Sequence, residues 1–310
     1  MNRNLTGALA LALTLAAPAA FAAAETEPND SKATANLRSL PAASTIGVIT
    51  GNSVAGTGAG LDYFLVRTAA QAAPGWYRHR LIITTTGTAG HTGTLRGLTQ
   101  TAGVINAGTD ATFVSSSAAT TPARFNQFYT SEASADVYYR VAGTASTTAD
   151  YSVDYEVTPV TVLTGPAGLD AAAPITITTV GQGHTTDTEL WVYDASRVAI
   201  PLFGNDEEPT PGATAQSRLT RTFTVGSYFL ALTNFAFANH LPSPPDDRYL
   251  TGNVLDFPGV AANSSTATAV NVAVSIGGTA VPAIKANPYE VLFVSFAVPT
   301  PVEIQSFTAE

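Results

Sequence analysis

The sequence predicts an all-β protein built from two tandem sandwiches. Three observations carry that prediction: short alternating apolar runs, turn-forming clusters between them, and one internal duplication at domain length. No sustained 3.6-residue apolar period follows the first two dozen residues, so the helical crossovers of a parallel α/β fold are missing.

The chain opens on Arg3, an apolar stretch from Leu5 to Ala17 and a small-residue region, Pro18 to Ala24. This is the layout of a secretory signal peptide over residues 1–24, with cleavage after Ala22 or Ala24 and a mature chain opening near Glu25. The apolar stretch is short for a membrane span, and no second one follows, so no membrane anchor is expected. The 310 residues carry 14 basic and 23 acidic side chains, a formal charge of -9 that becomes -10 once Arg3 leaves with the leader. That balance argues against a nucleic-acid partner. The chain has no cysteine, which removes thiol catalysis, thiolate metal sites and disulfides.

Strand-like runs recur at Tyr63–Thr68, His79–Thr86, Asp136–Ala142, Tyr151–Val157, Ile175–Val180, Glu189–Tyr193, Leu219–Val225, Ser227–Thr233, Ala269–Ile276 and Val291–Val298. Clusters such as Gly56 to Gly60 and Pro242 to Asp247 read as the turns between them. The duplication pairs Ile82–Thr92 with Ile175–Thr185, then Arg124–Thr130 with Arg218–Thr224, then Val137–Val141 with Ser227–Leu232. Two folded units follow, a first sandwich over 25–160 and a second over 175–299, with a linker at 161–174 and a tail at 300–310.

Glu25, Glu27, Asn29 and Asp30 place four oxygen-bearing side chains within six residues. Calcium takes six to eight oxygens at about 2.3–2.6 Å, and extracellular modules hold it weakly. Such a segment can wrap an ion if a loop adds another carboxylate, and Asp62 is the natural donor; the competing reading is a solvated acidic linker. Asp187, Asp194, Asn205 and Asp206, with Glu207 and Glu208, could form a second, weaker site if two loops converge. Asx turn chemistry is the alternative there.

His79, His91, His184 and His240 show none of the H-x-x-x-H or H-E-x-x-H spacing of a zinc site. No G-x-S-x-G elbow occurs, and the Gly56 to Gly60 run lacks the Lys and helix of a phosphate loop, so no catalytic residue is assigned. Among the aromatic residues, Trp76 and Tyr77 follow Pro74-Gly75 at a strand entrance and are the expected exposed ligand contacts.

The opening Glu25-Thr26-Glu27-Pro28-Asn29-Asp30, the turn Gly47-Val48-Ile49-Thr50-Gly51 and the strand Asp62-Tyr63-Phe64-Leu65-Val66 resemble the bacterial pre-peptidase C-terminal domain family. The second unit is similar to the same group through Asp187 to Asp194, Gly204-Asn205-Asp206, Ser217-Arg218-Leu219 and Gly226 to Leu230, particularly to its subset in stand-alone exported proteins. The resemblance implies jelly-roll-like antiparallel sandwiches and, at the first opening, structural calcium of the kind used by collagen-binding members. The chain departs from the family pattern at Gly60-Leu61-Asp62, where two acidic residues are usual. The second unit lacks the acidic opening, and its last segment, Val291–Val298, reads like the early strand, so it is expected in the place that Asp62 to Thr68 takes in the first sandwich.

Together these readings point to a secreted, non-catalytic binding or adhesion module, calcium-stabilised, that contacts an extracellular polymer (glycan or matrix protein) or a cell-surface protein. Its expected location is the medium or the cell surface, with the periplasm the other compartment open to it. The alternatives are a self-assembling structural or surface-layer component and, behind it, a secreted hydrolase.

Overall fold

The computed structural model describes residues 23–52, 60–85, 90–115, 124–143, 150–184, 186–208 and 215–300. The expected leader up to Ala22 and the tail from Pro301 onward lie outside the described residues. Among the described residues the chain forms 24 strands and one short 3-10 turn, Lys32–Thr34.

The first unit runs β1 (Ala23–Ala24), β2 (Asn36–Ser39), β3 (Thr45–Asn52), β4 (Leu61–Arg67), β5 (Trp76–Thr85), β6 (Thr92–Thr101), β7 (Val104–Ser115), β8 (Arg124–Ser131), β9 (Asp136–Ala142) and β10 (Asp150–Pro159). The second begins with β11 (Leu163–Thr164), β12 (Ile175–Thr178), β13 (Thr188–Tyr193), β14 (Ala199–Asn205), β15 (Arg218–Arg221) and β16 (Gly226–Asn234). It continues through β17 (Phe237–Ala238), β18 (Gly252–Leu255), β19 (Val260–Asn263), β20 (Val270–Asn271), β21 (Val274–Ile276), β22 (Thr279–Val281), β23 (Ile284–Lys285) and β24 (Leu292–Val298). The polar, Gly-containing β6 and β7 escape a search for apolar alternation; they pair with each other, and β6 also pairs with β9 and β18.

Each unit is a sandwich of two sheets, and the two units share one plan. In the first, β3-β10-β5-β8 faces β6-β9-β4-β2, with β7 on β6. In the second, β22-β21-β12-β15 faces β13-β16-β24-β11, with β14 on β13. Every corresponding pairing has the same sense, down to the parallel pairs β2 with β4 and β11 with β24. The second unit therefore keeps the strand plan of the first with a changed chain order: the equivalents of β3 and β4 come at its end, while that of β2 stays at its start. Leu292–Val298 occupies the place of Leu61–Arg67, pairing antiparallel with Gly226–Asn234 as β4 pairs with β9. Leu163–Thr164, in the expected linker, is the equivalent of β2 and belongs to the second sandwich.

The cores follow from alternation. Ile49, Phe64, Leu81, Leu95, Phe128, Tyr139 and Val153 fill the first sandwich, and Ile177, Leu190, Leu219, Leu230, Val274 and Val294 the second. Several strands are buried on both faces. Along β13, Leu190 and Val192 point into the second core while Trp191 and Tyr193 enter a third cluster with Trp76, Tyr129, Ala231 and Phe293. That third cluster is the seam where an outer sheet face of each sandwich meets the other. Trp76 stacks on Phe293 with ring centroids 4.0 Å apart and meets Tyr193 edge-on at 5.0 Å.

This seam corrects the expected ligand contact. Trp76 is 1% exposed, and Tyr77 is buried with its hydroxyl donating to the Ala73 carbonyl at 2.8 Å. A strand entrance that looks open in one sandwich is covered by the other.

The chain between β16 and β20 crosses back onto the first sandwich. There β19 extends one sheet by pairing with β8, and β18 extends the other by pairing with β6. Gly97 permits this, since a Cβ there would lie 2.1 Å from the Val254 carbonyl oxygen. The insertion is closed at its neck by Lys285, whose buried ammonium donates to Asn234 Oδ1 at 2.6 Å, Asn263 Oδ1 at 2.9 Å and the Ser265 carbonyl at 3.0 Å. Three donors meet three acceptors, which offsets the desolvation that lowers its pKa to about 8.

Replacing Trp76 with alanine empties the centre of the seam. We expect Trp76→Ala to lower the unfolding free energy by about 3–5 kcal/mol in urea denaturation, with no comparable loss for the exposed Val104→Ala.

Candidate metal centre

The acidic segment Glu25 to Asp30 runs along the first sandwich. Glu25 N–H donates to the Thr50 carbonyl at 3.0 Å, continuing the parallel pairing of β1 with β3. Asn36 holds Thr26 through two hydrogen bonds, and Tyr63 N–H on β4 donates to the Asn29 carbonyl at 2.8 Å. The segment is thus a docked strap.

Docking brings Glu25, Glu27 and Asp62 together with one oxygen of each within 4.8 Å of the others. Glu25 is positioned by the Asn52 amide at 2.7 Å and the Tyr151 hydroxyl at 3.0 Å. Gly51 leaves room for it, since a Cβ there would come within 2.5 Å of Glu25 Oε2. Glu27 accepts the Asn29 amide at 3.0 Å. Two further facts distinguish the cluster from a solvated patch. Asp62 is wholly buried, with the Tyr151 hydroxyl nearby but no well-formed hydrogen bond to either carboxylate oxygen, and wholly buried Asn29 has neither side-chain amide atom bonded. Burial, with the charges of Glu25 and Glu27 adding, raises the Asp62 carboxyl to about 8. Asp30 is half-buried outside this triad.

An all-oxygen, carboxylate-rich set of this kind has the donor chemistry of a hard, oxygen-preferring cation. Beside it lies a groove of about 540 Å³ lined by Glu25, Thr50, Thr84 and Tyr151 among others.

The second predicted set divides. Asp194 Oδ1 accepts the amides of Ser196 at 2.8 Å and Val198 at 2.9 Å, so its carboxylate shapes the β13–β14 turn. Asn205 bonds the Arg218 amide through Oδ1 and the Glu207 carbonyl through Nδ2. Both are structural, which corrects their expected place among the ligands. Asp187 and Asp206 instead share surroundings with Glu189 and Asp247, two acids that the sequence reading passed over. Glu189 had a signal, because it lies two residues from Asp187 in the sequence. Asp247 had none, as it reaches the site from a run read only as a turn.

Two of the histidines, His79 and His184, make contacts that serve the fold. His79 is wholly buried between the Tyr155 hydroxyl at 2.7 Å and Thr130 Oγ1 at 2.8 Å, and burial lowers its pKa to about 3. His184 Nε2 lies 2.9 Å from the Ala273 carbonyl, which is distant in sequence and not the local backbone of its turn.

No family model matches the chain, and no curated protein matches it.

Two consequences are measurable. His79 stays neutral in the fold while an unfolded histidine protonates near pH 6.5, so its contribution is complete above that pH and is lost as pH falls toward 3. In acid-denaturation curves between pH 6 and 3, His79→Gln should show a slope shallower by up to about 1.4 kcal/mol per pH unit. For Asp62 the sign is opposite: the folded carboxyl holds its proton to about pH 8, so its effect on stability worsens from about pH 4 to 8. With chelator at pH 8.5, Asp62→Asn should melt above the native chain by about 2 °C or more, from relief of about 1 kcal/mol, and the gap should close at pH 4.

Proposed function

We propose that the chain is an exported, non-catalytic binding module of two sandwiches, with structural calcium locking the acidic strap onto the first. The carrying observation is the convergence of Glu25, Glu27 and Asp62 around buried polar atoms of Asp62 and Asn29 that have no well-formed hydrogen bond. Burying a carboxylate without a counter-charge is costly, and a divalent ion bound by all three removes that cost. In the ion-bound protein Glu25, Glu27 and Asp62 supply charge and Asn29 Oδ1 a neutral oxygen.

The pairing of Ala23–Ala24 with Ile49 and Thr50 supports leader cleavage after Ala22, which keeps those two residues in the mature sheet. The resemblance to the pre-peptidase C-terminal domain family, with jelly-roll-like modules, belongs to this reading. The shared strand plan of the two units, in changed chain order, supports their common descent. The partner class is an extracellular polymer, glycan or matrix protein, or a cell-surface protein. The groove beside the strap is the surface that calcium would order for it.

Calcium at 10 mM should raise the melting temperature by about 3–10 °C, given a Kd near 0.1–1 mM. Glu27→Gln should remove most of that rise in differential scanning fluorimetry. Identical melts in calcium and in chelator would sink the calcium reading. A glycan and matrix-protein array probed with and without calcium tests the binding role.

A further inference from the structure

A second acidic set lies where the insertion leaves the second sandwich. Asp187 immediately precedes β13, and Glu189 lies on it two residues further along. The β13–β14 register pairs Leu190 with Asn205, which sets Asp206 across from Glu189. Asp247 comes from the insertion, and its carboxylate accepts the amides of Asp206 at 3.3 Å, Glu207 at 3.1 Å and Tyr249 at 3.2 Å. Glu189 reaches the insertion as well, accepting the Phe237 amide at 2.6 Å.

Two carboxylate oxygens of this set are buried without a hydrogen-bond partner. Asp206 is 3% exposed, yet its Oδ1 has no hydrogen-bond partner; Asp187 Oδ1 is likewise buried and unpartnered. The neighbouring arginines close on other acids, Arg248 on Glu207, Arg218 on Glu208 and Arg221 on Asp246. We propose that Asp187, Glu189, Asp206 and Asp247 bind a second divalent, oxygen-preferring cation of the calcium class, which clamps the inserted segment to the second sandwich.

The electrostatics agree. Burial, with the charges of Glu189, Asp187 and Asp247 around it, raises the Asp206 carboxyl to about 11, and burial is also the leading cause that brings Asp187 and Asp247 to about 6. Buried carboxylates at such spacing hold either protons or a metal. The set is looser than the Glu25–Glu27–Asp62 triad, which among the described residues is the group with oxygens inside 4.8 Å, so the proposed ion requires these side chains to close around it. The donors come from both the sandwich and the insertion, so binding couples directly to the junction between the two units.

The test is calorimetric titration of calcium alone into the chelator-stripped mature chain, with hydrogen exchange followed over residues 237–263. Two ions should bind, and calcium should slow exchange across the insertion by at least tenfold. Asp206→Asn should lose one ion and the slowing while keeping the ion that Glu27→Gln removes. Asp247→Asn, made from the insertion side, should do the same, and retention of the strap ion in both variants shows that the fold is intact. This site is independent of the first: loss of an ion in Asp206→Asn with none lost in Glu27→Gln would support it and defeat the strap site. An unchanged ion count in both Asp206→Asn and Asp247→Asn would overturn it, as would a native chain binding a single ion that Glu27→Gln abolishes.

Discussion

The stack of Trp76 on Phe293 lies at the centre of the seam between the two sandwiches. One ring stands at the start of β5 and the other near the chain's last described strand, with Tyr129, Trp191 and Tyr193 around them. Aromatic rings bury large areas with few rotatable bonds, which makes them efficient at joining preformed sheets. The hydrogen bonds alongside are organised by the same contact: the Tyr129 hydroxyl receives the Val291 amide at 3.1 Å and Gln127 Nε2 at 2.6 Å, while Gln127 also reaches the Tyr289 carbonyl. Removing the seam would leave these polar groups buried without their geometry.

Against that seam, the insertion adds a second connection of another kind. Strands β18 and β19 borrow the edges of the first sandwich, so main-chain bonds join what side chains already hold. Covering a free sheet edge also removes a template for unwanted pairing. The Lys285 ammonium, fastened to Asn234 and Asn263, then keeps the two ends of this excursion together. Both candidate cation sets lie on comparable joints, one where the amino-terminal strap meets β4 and one where the insertion meets β13. In each, charge is concentrated where a peripheral segment must be held.

The parts of this architecture legible in the sequence are those governed by local periodicity. The matched segments at Ile82 and Ile175 lie on the equivalent strands β5 and β12, and the acidic strap is brought to Asp62. Long-range coverage left no local mark. Trp76 reads as exposed because nothing near it indicates that a strand more than two hundred residues later will cover it. The insertion was hidden for a related reason: its strands are short, and their partners lie in the other unit. Asp194 and Asp206 carry the same side chain, yet one is spent on a hairpin turn and the other is sealed beside three acids; only the fold separates them.

The changed chain order of the second sandwich has a consequence for how the molecule comes into being. A chain emerging amino-terminus first can pair β12, β13 and β16 early, but the slot beside β16 stays open until Leu292–Val298 arrives. The same strand carries Phe293, so the second core and the seam are completed in one step. A chain that stops short of Leu292–Val298 therefore leaves the slot beside β16 unfilled and Trp76 without the ring it stacks on, so completion of the second sandwich and its attachment to the first are a single event.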